Sequence, residues 1–155
     1  MRRKDKNIDD PAVIEEILSG SEIVRVAMMD GDKPYIVPLN YGYFENALYV
    51  HSAPEGKKIE LLKKNNRVCF EITLKHEIIR PELSCEWTTK YRSAIGHGQV
   101  EFIDDFEEKK KGLDIIMSQH GRSEGNEYKD KQVGFIVILK INIDEISGKQ
   151  SGDWD

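Results

Sequence analysis

The dipeptide Asp30-Gly31, set between the runs EIVRVAMM and PYIVPLNYGY, narrows the possible folds of this 155-residue chain more than any other feature. Asp-Gly between two β-rich runs signals a tight hairpin, because such turns need the positive φ that glycine adopts freely. The segment FENA then turns the chain again into LYVHS. RVCFEIT, YRSAIGHGQVEFI and VGFIVILKINI add further segments of strand-like composition. Strands joined by turns this tight pair antiparallel, and a repeating βαβ rhythm is missing, which argues against a doubly wound sheet. The expected fold is mainly β with peripheral helices. About six antiparallel strands and three helices form a closed or partly closed barrel.

The helices carry their own punctuation. Asp10 caps a first helix, Pro11 fits its first position and Gly20 follows its end, with Val13, Ile14, Ile17 and Leu18 on one apolar face. Ser52 and Glu55, spaced as a capping box, predict a second helix over residues 53–65. Asp104 and Glu107 repeat that spacing before a third, which runs to about His120. Residues 75–89 read as polar and irregular, and GRSEGNEYKDKQ as loop. Gly96 and Gly98 mark a bulge or a close backbone approach. The whole chain, residues 1–155, reads as one domain, with residues 1–9 as an arm and 147–155 as a tail.

Composition bounds the function. Net charge is -5, which argues against a general nucleic-acid binder. No apolar run approaches the roughly 20 residues of a membrane span, and the basic start lacks an apolar signal region. Two cysteines, Cys69 and Cys85, suggest free thiols in a reducing cytoplasm. Cys69, His76 and Cys85 lack zinc-site spacing, so no metal is expected. The carboxylates Asp104, Asp105, Glu107 and Glu108 read as charge at a helix start.

Chemistry concentrates around HSAPEGKK. A helix start offers free N–H groups and a positive dipole end, and it ordinarily prefers acidic neighbours. Lys57 and Lys58 sit there instead, beside Ser52. Together they describe a socket for a phosphate dianion. The alternative is an exposed helix face shared with Lys63 and Lys64. One strand earlier, Pro38 inside IVPLNY marks an edge or a bulge, which leaves backbone groups free for a ligand or simply guards the edge.

These two segments together resemble the FMN-binding split-barrel superfamily, typified by pyridoxamine 5'-phosphate oxidase. VPLNYGY, LYVHSAPEGKKIELLKKNNRVCFE and YRSAIGHGQVEFIDD are most similar to its nitroimidazole-resistance (Nim) branch, over about Ile23 to Ile141. The resemblance implies a six-stranded antiparallel split barrel and FMN as cofactor. It implies that Tyr35, Ile36, Val37, Pro38, Leu39 and Asn40 line the isoalloxazine and ribityl chain. His51 and Ser52, with Lys57 and Lys58, would hold the phosphate, and Ser93 would lie near the flavin, often from the facing subunit. It implies a homodimer with flavin sites between the subunits and a small-molecule substrate. The expected activity is flavin-dependent reduction of a nitroaromatic or a similar electrophilic acceptor. The alternatives are a flavin- or haem-binding module without turnover and oxidation of pyridoxamine phosphate. The oxidase branch, however, ends with a tryptophan followed by arginine and histidine, and this tail has Trp154 without either. His51 could donate a proton to a reduced product, or bond phosphate or backbone. Trp87 and Tyr91 could stack beside a planar ring or pack in a subunit interface.

Overall fold

The hairpin at Asp30-Gly31 forms as expected, and the sheet grows outward from it. The computed structural model describes residues 4–152 and residue 154. Strands β2 (Ile23–Asp30) and β3 (Lys33–Asn40) pair antiparallel with Asp30 opposite Lys33. Gly31 turns with φ 64°, a conformation that strains residues with a side chain. The next turn joins β4 (Gly42–Phe44) to β5 (Ala47–Ser52) with φ 46° at Glu45 and 59° at Asn46. Positive φ at both central residues gives the twist that matches paired strands. Along β2 the side chains alternate: Val24, Val26 and Met28 are buried while Ile23, Arg25 and Met29 are exposed.

Eight strands among the described residues build one sheet, not six. Its order is β3-β2-β6-β7-β8-β5-β4, where β6 is Arg67–Ile79, β7 Thr88–Ile103 and β8 Val137–Ser151. A short β1 (Asn7–Ile8) pairs with the end of β8. The ladder stops at β3 on one side and β4 on the other, so the barrel stays split there. Curvature comes from β7. A Cβ on Gly96 would lie 2.3 Å from Phe70 Cζ, and one on Gly98 would lie 2.3 Å from the Asn142 carbonyl oxygen. His97 pairs with Glu145 but Gly98 pairs with Ile143, so Asp144 is an extra residue in β8. Both readings of these glycines, bulge and close approach, hold.

Helix α1 (Pro11–Gly20) is capped by Asp10, whose carboxylate accepts from the Ala12 N–H at 2.9 Å, and buries Ile17 and Leu18. Helix α2 (Lys57–Lys64) buries Ile59, Leu61 and Leu62. Its Leu62 and Lys58 line the same small void as Val26, Val50, Val100 and Leu139, which places α2 over one end of the barrel interior. Helix α3 (Phe106–Gln119) packs on β4 and β5, and a short α4 covers Asp130–Gly134. Helix ends leave carbonyls without partners, and here one side chain from another helix serves them. The Gln119 amide donates to the carbonyls of Leu18, Ser19 and Ser21 at 3.0, 3.0 and 2.6 Å, and its oxygen accepts from the Tyr43 N–H at 3.2 Å. No helix of the described residues is long and apolar enough to cross a membrane. Both cysteines are free.

Several expectations are corrected. The capping box at Ser52 and Glu55 does not form, because Ser52 is held in the sheet opposite Val137 and the helix waits until Lys57. The third helix is capped one residue later than expected: Asp105 accepts from the Glu108 N–H at 3.0 Å. The first helix includes Gly20. Residues 75–79 and 88–89 are not irregular; they extend β6 and β7 as a projecting hairpin. The tail residues through Ser151 belong to β8, since Ser147 to Ser151 pair with Ile95 to Tyr91. Within the loop before β8 lies α4. Of the arm, residues 4–8 form a short 3-10 turn and β1, while residues 1–3, 153 and 155 lie outside the described set.

The contact at Gly98 is testable. Gly98→Ala is expected to cost about 2 kcal/mol or more by denaturant unfolding, as overpacking against backbone does. Gly134→Ala has open space around it and is expected to change stability by less than about 0.5 kcal/mol.

Candidate functional site

The start of α2 follows from what precedes it. Ser52 ends β5 in register with Val137, and the chain then bends to Gly56, which has φ 108° and flanks the helix without any side-chain cap. Lys57 and Lys58 are therefore the first two helical residues. They add two ammonium groups where the helix dipole is already positive.

The two lysines differ. Lys57 is exposed; its Nζ lies 2.8 Å from Asp30 Oδ2 and 4.6 Å from the centre of the Tyr35 ring. The hydrogen bond to Asp30 holds its pKa above the ordinary lysine value. Lys58 is half-buried, and burial pushes its pKa down. It forms no ion pair among the described residues. Ser52 beside it is buried. His51 presents exposed surface, yet partial desolvation of its ring and then the charge of Lys58 hold it below the ordinary imidazole value of 6.5. An unpaired, partly desolvated cation at an uncapped helix start favours a nearby anion, whose charge would offset what burial removed.

The Lys57–Asp30 and Lys57–Tyr35 contacts tie this helix start to the β2–β3 hairpin. Strand β3 is an edge, as Pro38 predicted, and a second proline, Pro34, lies in it. Tyr35, Val37 and Leu39 are half-buried against the core, whereas Ile36, Pro38 and Asn40 point outward. The backbone groups on the side of β3 away from β2 meet no other strand among the described residues. The structure thus brings His51, Ser52, Lys57, Lys58 and the start of β3 to one corner.

Trp87, Tyr91 and Ser93 do not join them within one chain. Ser93 lies between Thr73 and Lys149 in the sheet. Tyr91 lines an open depression of about 900 Å³ with Ile23, Arg25, Thr73 and His76. Trp87 stands in the loop that closes the projecting hairpin, 51% exposed, its indole N–H on the Pro81 carbonyl. Arg25 pairs with Glu71, so this group lies near the Ile23 end of β2, opposite the Asp30 end. Seven residues of extended chain separate those ends by roughly 23 Å. One participant escaped the sequence reading. Asp30 was assigned only to the turn, and nothing local connects it to a lysine 27 positions later.

A split antiparallel barrel with an uncapped, lysine-bearing helix start beside its free edge strand defines a class of small cofactor-binding barrels. The chain matches the family model described as pyridoxamine 5'-phosphate oxidase over residues 10–150, and it belongs to that family. It is 38% identical to a crystal structure described as a candidate 5-nitroimidazole antibiotic resistance protein from Bacteroides thetaiotaomicron. That match has a TM-score of 0.82 and covers 92% of this chain and 85% of that one. The fold is also shared with an FAD and haem binding protein from Mycobacterium smegmatis, at 22% identity and TM-score 0.83, covering 96% of this chain and 75% of that one. It is shared too with the flavocytochrome Anf3 from Azotobacter vinelandii, at 17% identity and TM-score 0.83, covering 99% and 72%. An uncharacterised protein of Rhizobium meliloti is 36% identical over 56 residues, which make up 36% of each chain, so the match spans about a third of that relative.

The coupling of His51 to Lys58 can be read directly. In Lys58→Met the imidazole is expected to titrate closer to 6.5 than in the wild type, because a neighbouring positive charge no longer opposes protonation. Lys57→Met should leave the midpoint in place. Ring-proton chemical shifts against pH measure both.

Proposed function

We propose that this chain is a flavin-dependent oxidoreductase that holds FMN and reduces a nitroaromatic or a similar small electrophilic acceptor. One observation carries this reading: the half-buried, unpaired Lys58 at the uncapped start of α2, beside an edge strand with free backbone groups. A cofactor with a phosphate dianion at one end and a planar polar ring at the other suits that corner. Ser52, Lys57 and Lys58 would hold the phosphate, and residues 35–40 would lie along the ring and ribityl chain. The 38% identical relative described as a candidate nitroimidazole resistance protein supports the acceptor class.

Bound flavin supplies the redox chemistry; the protein binds it, orients it and sets the local electrostatics. Partial burial and then the charge of Lys58 hold the His51 pKa below its ordinary value, which favours the neutral ring and suits hydrogen bonding to phosphate. A bound dianion offsets Lys58 and moves the imidazole upward, toward the range in which it passes a proton to a reduced product.

A homodimer completes the arrangement. Ile23, Met29, Ile36 and Ile95 lie on the outer face of the sheet, each more than two-fifths exposed, the least being Ile23 at 43%. A second copy seated there covers apolar surface and carries the Tyr91 and Ser93 end of one chain toward the α2 end of the other. That supports Trp87, Tyr91 and Ser93 as contributions made across an interface.

The visible spectrum of the purified protein, with and without added FMN, is the test. Yellow protein that NADH or NADPH bleaches and a nitroaromatic re-oxidises is the expected result. Failure to take up FMN ends the proposal, and flavin that is held but never turned over points to a binding module. Lys58→Ala is expected to weaken FMN by about 10- to 100-fold, the range for losing a bond to a charged group. Lys57→Ala should weaken it less, since Asp30 already engages that ammonium.

A further inference from the structure

At the other end of the sheet the chain gathers a second group of cations that the proposed function leaves unused. Lys75 and Arg92 face each other across β6 and β7, and Lys90 follows on the same face. Beyond β8, Gly152 turns the chain back with φ 84°, so close to Lys90 that a Cβ would lie 2.8 Å from its Cγ. The turn lays the Trp154 indole on the cluster. Lys90 Nζ and Arg92 Cζ are each 4.8 Å from the ring centre, and Lys75 Nζ is 5.7 Å away. The indole N–H donates to the Ser151 carbonyl at 3.1 Å. Lys6 joins from the arm; its Nζ donates to Ser151 Oγ at 2.9 Å and stands 5.8 Å from the Tyr91 ring.

These cations are held in place and, among the described residues, poorly neutralised. The Arg92 side chain is 13% exposed, fixed by Glu16 at 2.8 Å and by Gln150 at 3.2 Å. Arg92–Glu16 is the one ion pair of the cluster among the described residues, and Glu77, opposite Lys90 in the ladder, is in none. Like charges directly opposite on neighbouring strands repel. One indole face offsets that only in part. An incoming anion would relieve the rest, and the half-buried indole offers a planar surface beside it.

We propose that Lys75, Lys90 and Arg92 form a second anion site, which takes the phosphate of a nucleotide while Trp154 stacks the base. The site does not depend on the α2 corner. Calorimetric titration of the full chain saturated with FMN, repeated without flavin, tests it with ADP, inorganic pyrophosphate and adenosine as probes. ADP and pyrophosphate should bind at one site, and adenosine should not bind measurably. Lys75→Ala and Lys90→Ala are each expected to weaken ADP by about tenfold or more, with Lys58→Ala leaving it unchanged. Trp154→Ala should weaken ADP by about tenfold and pyrophosphate far less. Circular dichroism confirms that each variant is folded. No heat from ADP at millimolar concentration overturns the site, as does wild-type affinity in the folded Lys75 and Lys90 variants. Loss of ADP binding in Lys58→Ala assigns it to α2 and overturns it too. Unaltered ADP affinity in Trp154→Ala overturns the stacking role.

Discussion

The close passage of β7 over β8 at Gly98 is the contact on which the rest of the molecule rests. Strand β7 is 16 residues long and pairs along most of its length with β6 on one side and β8 on the other. Such a strand would make a flat sheet unless something bent it. Missing side chains at residues 96 and 98, with the extra Asp144, let Phe70 and the β8 backbone move in and curl the sheet. That curl lets β8 serve β7 throughout while meeting β5 with its first half and β1 with its end. The positions of Ser52 and Asp30, and hence the place where α2 begins, are set by these ladders.

The basic pair shows how a fold can divide one sequence motif into two roles. Lys57 has found its counter-charge in Asp30 and a ring face in Tyr35. Among the described residues Lys58 has neither, and it shares a void with aliphatic side chains. Leaving a partly desolvated charge without a partner is unfavourable for folding. In the proposed function a bound phosphate would offset that cost. The neighbouring imidazole registers the same charge, so occupancy of the corner and the protonation of His51 are linked.

Much of this was legible in the sequence where the signal is local. Asp30-Gly31, the Asp10-Pro11 helix start, Pro38 on an edge and the paired glycines of β7 all rest on backbone preferences, and these held. The misreadings came where a ladder overrode a local motif. Ser52 has the right spacing for a capping box, but its backbone belongs to a strand paired with residue 137. Lys75 to Ile79 read as irregular because that end of β6 is exposed on both faces, and Ser147 to Ser151 read as a tail because their composition is polar although β1 and β7 cover them. Their pairing is visible only through partners far away in sequence. For the site, the motif located both lysines but could not tell them apart. That difference depends on Asp30 and on barrel residues such as Val100 and Leu139, brought near by tertiary structure alone.

Gln119 carries a consequence for how the molecule opens. Its single amide joins the last carbonyls of α1, the backbone of β4 and the end of α3. Tyr41 adds a second bond to the same Leu18 carbonyl at 2.6 Å. Segments separated by about a hundred residues, the largest gap being 101, are thereby fastened at one point. Fraying of the α3 terminus would take this side chain from the Ser19 and Ser21 carbonyls and the Tyr43 N–H at once, and leave the Leu18 carbonyl to Tyr41 alone. The start of the chain and the helix after β7 therefore loosen as one cooperative unit, apart from the barrel wall that carries the lysine corner.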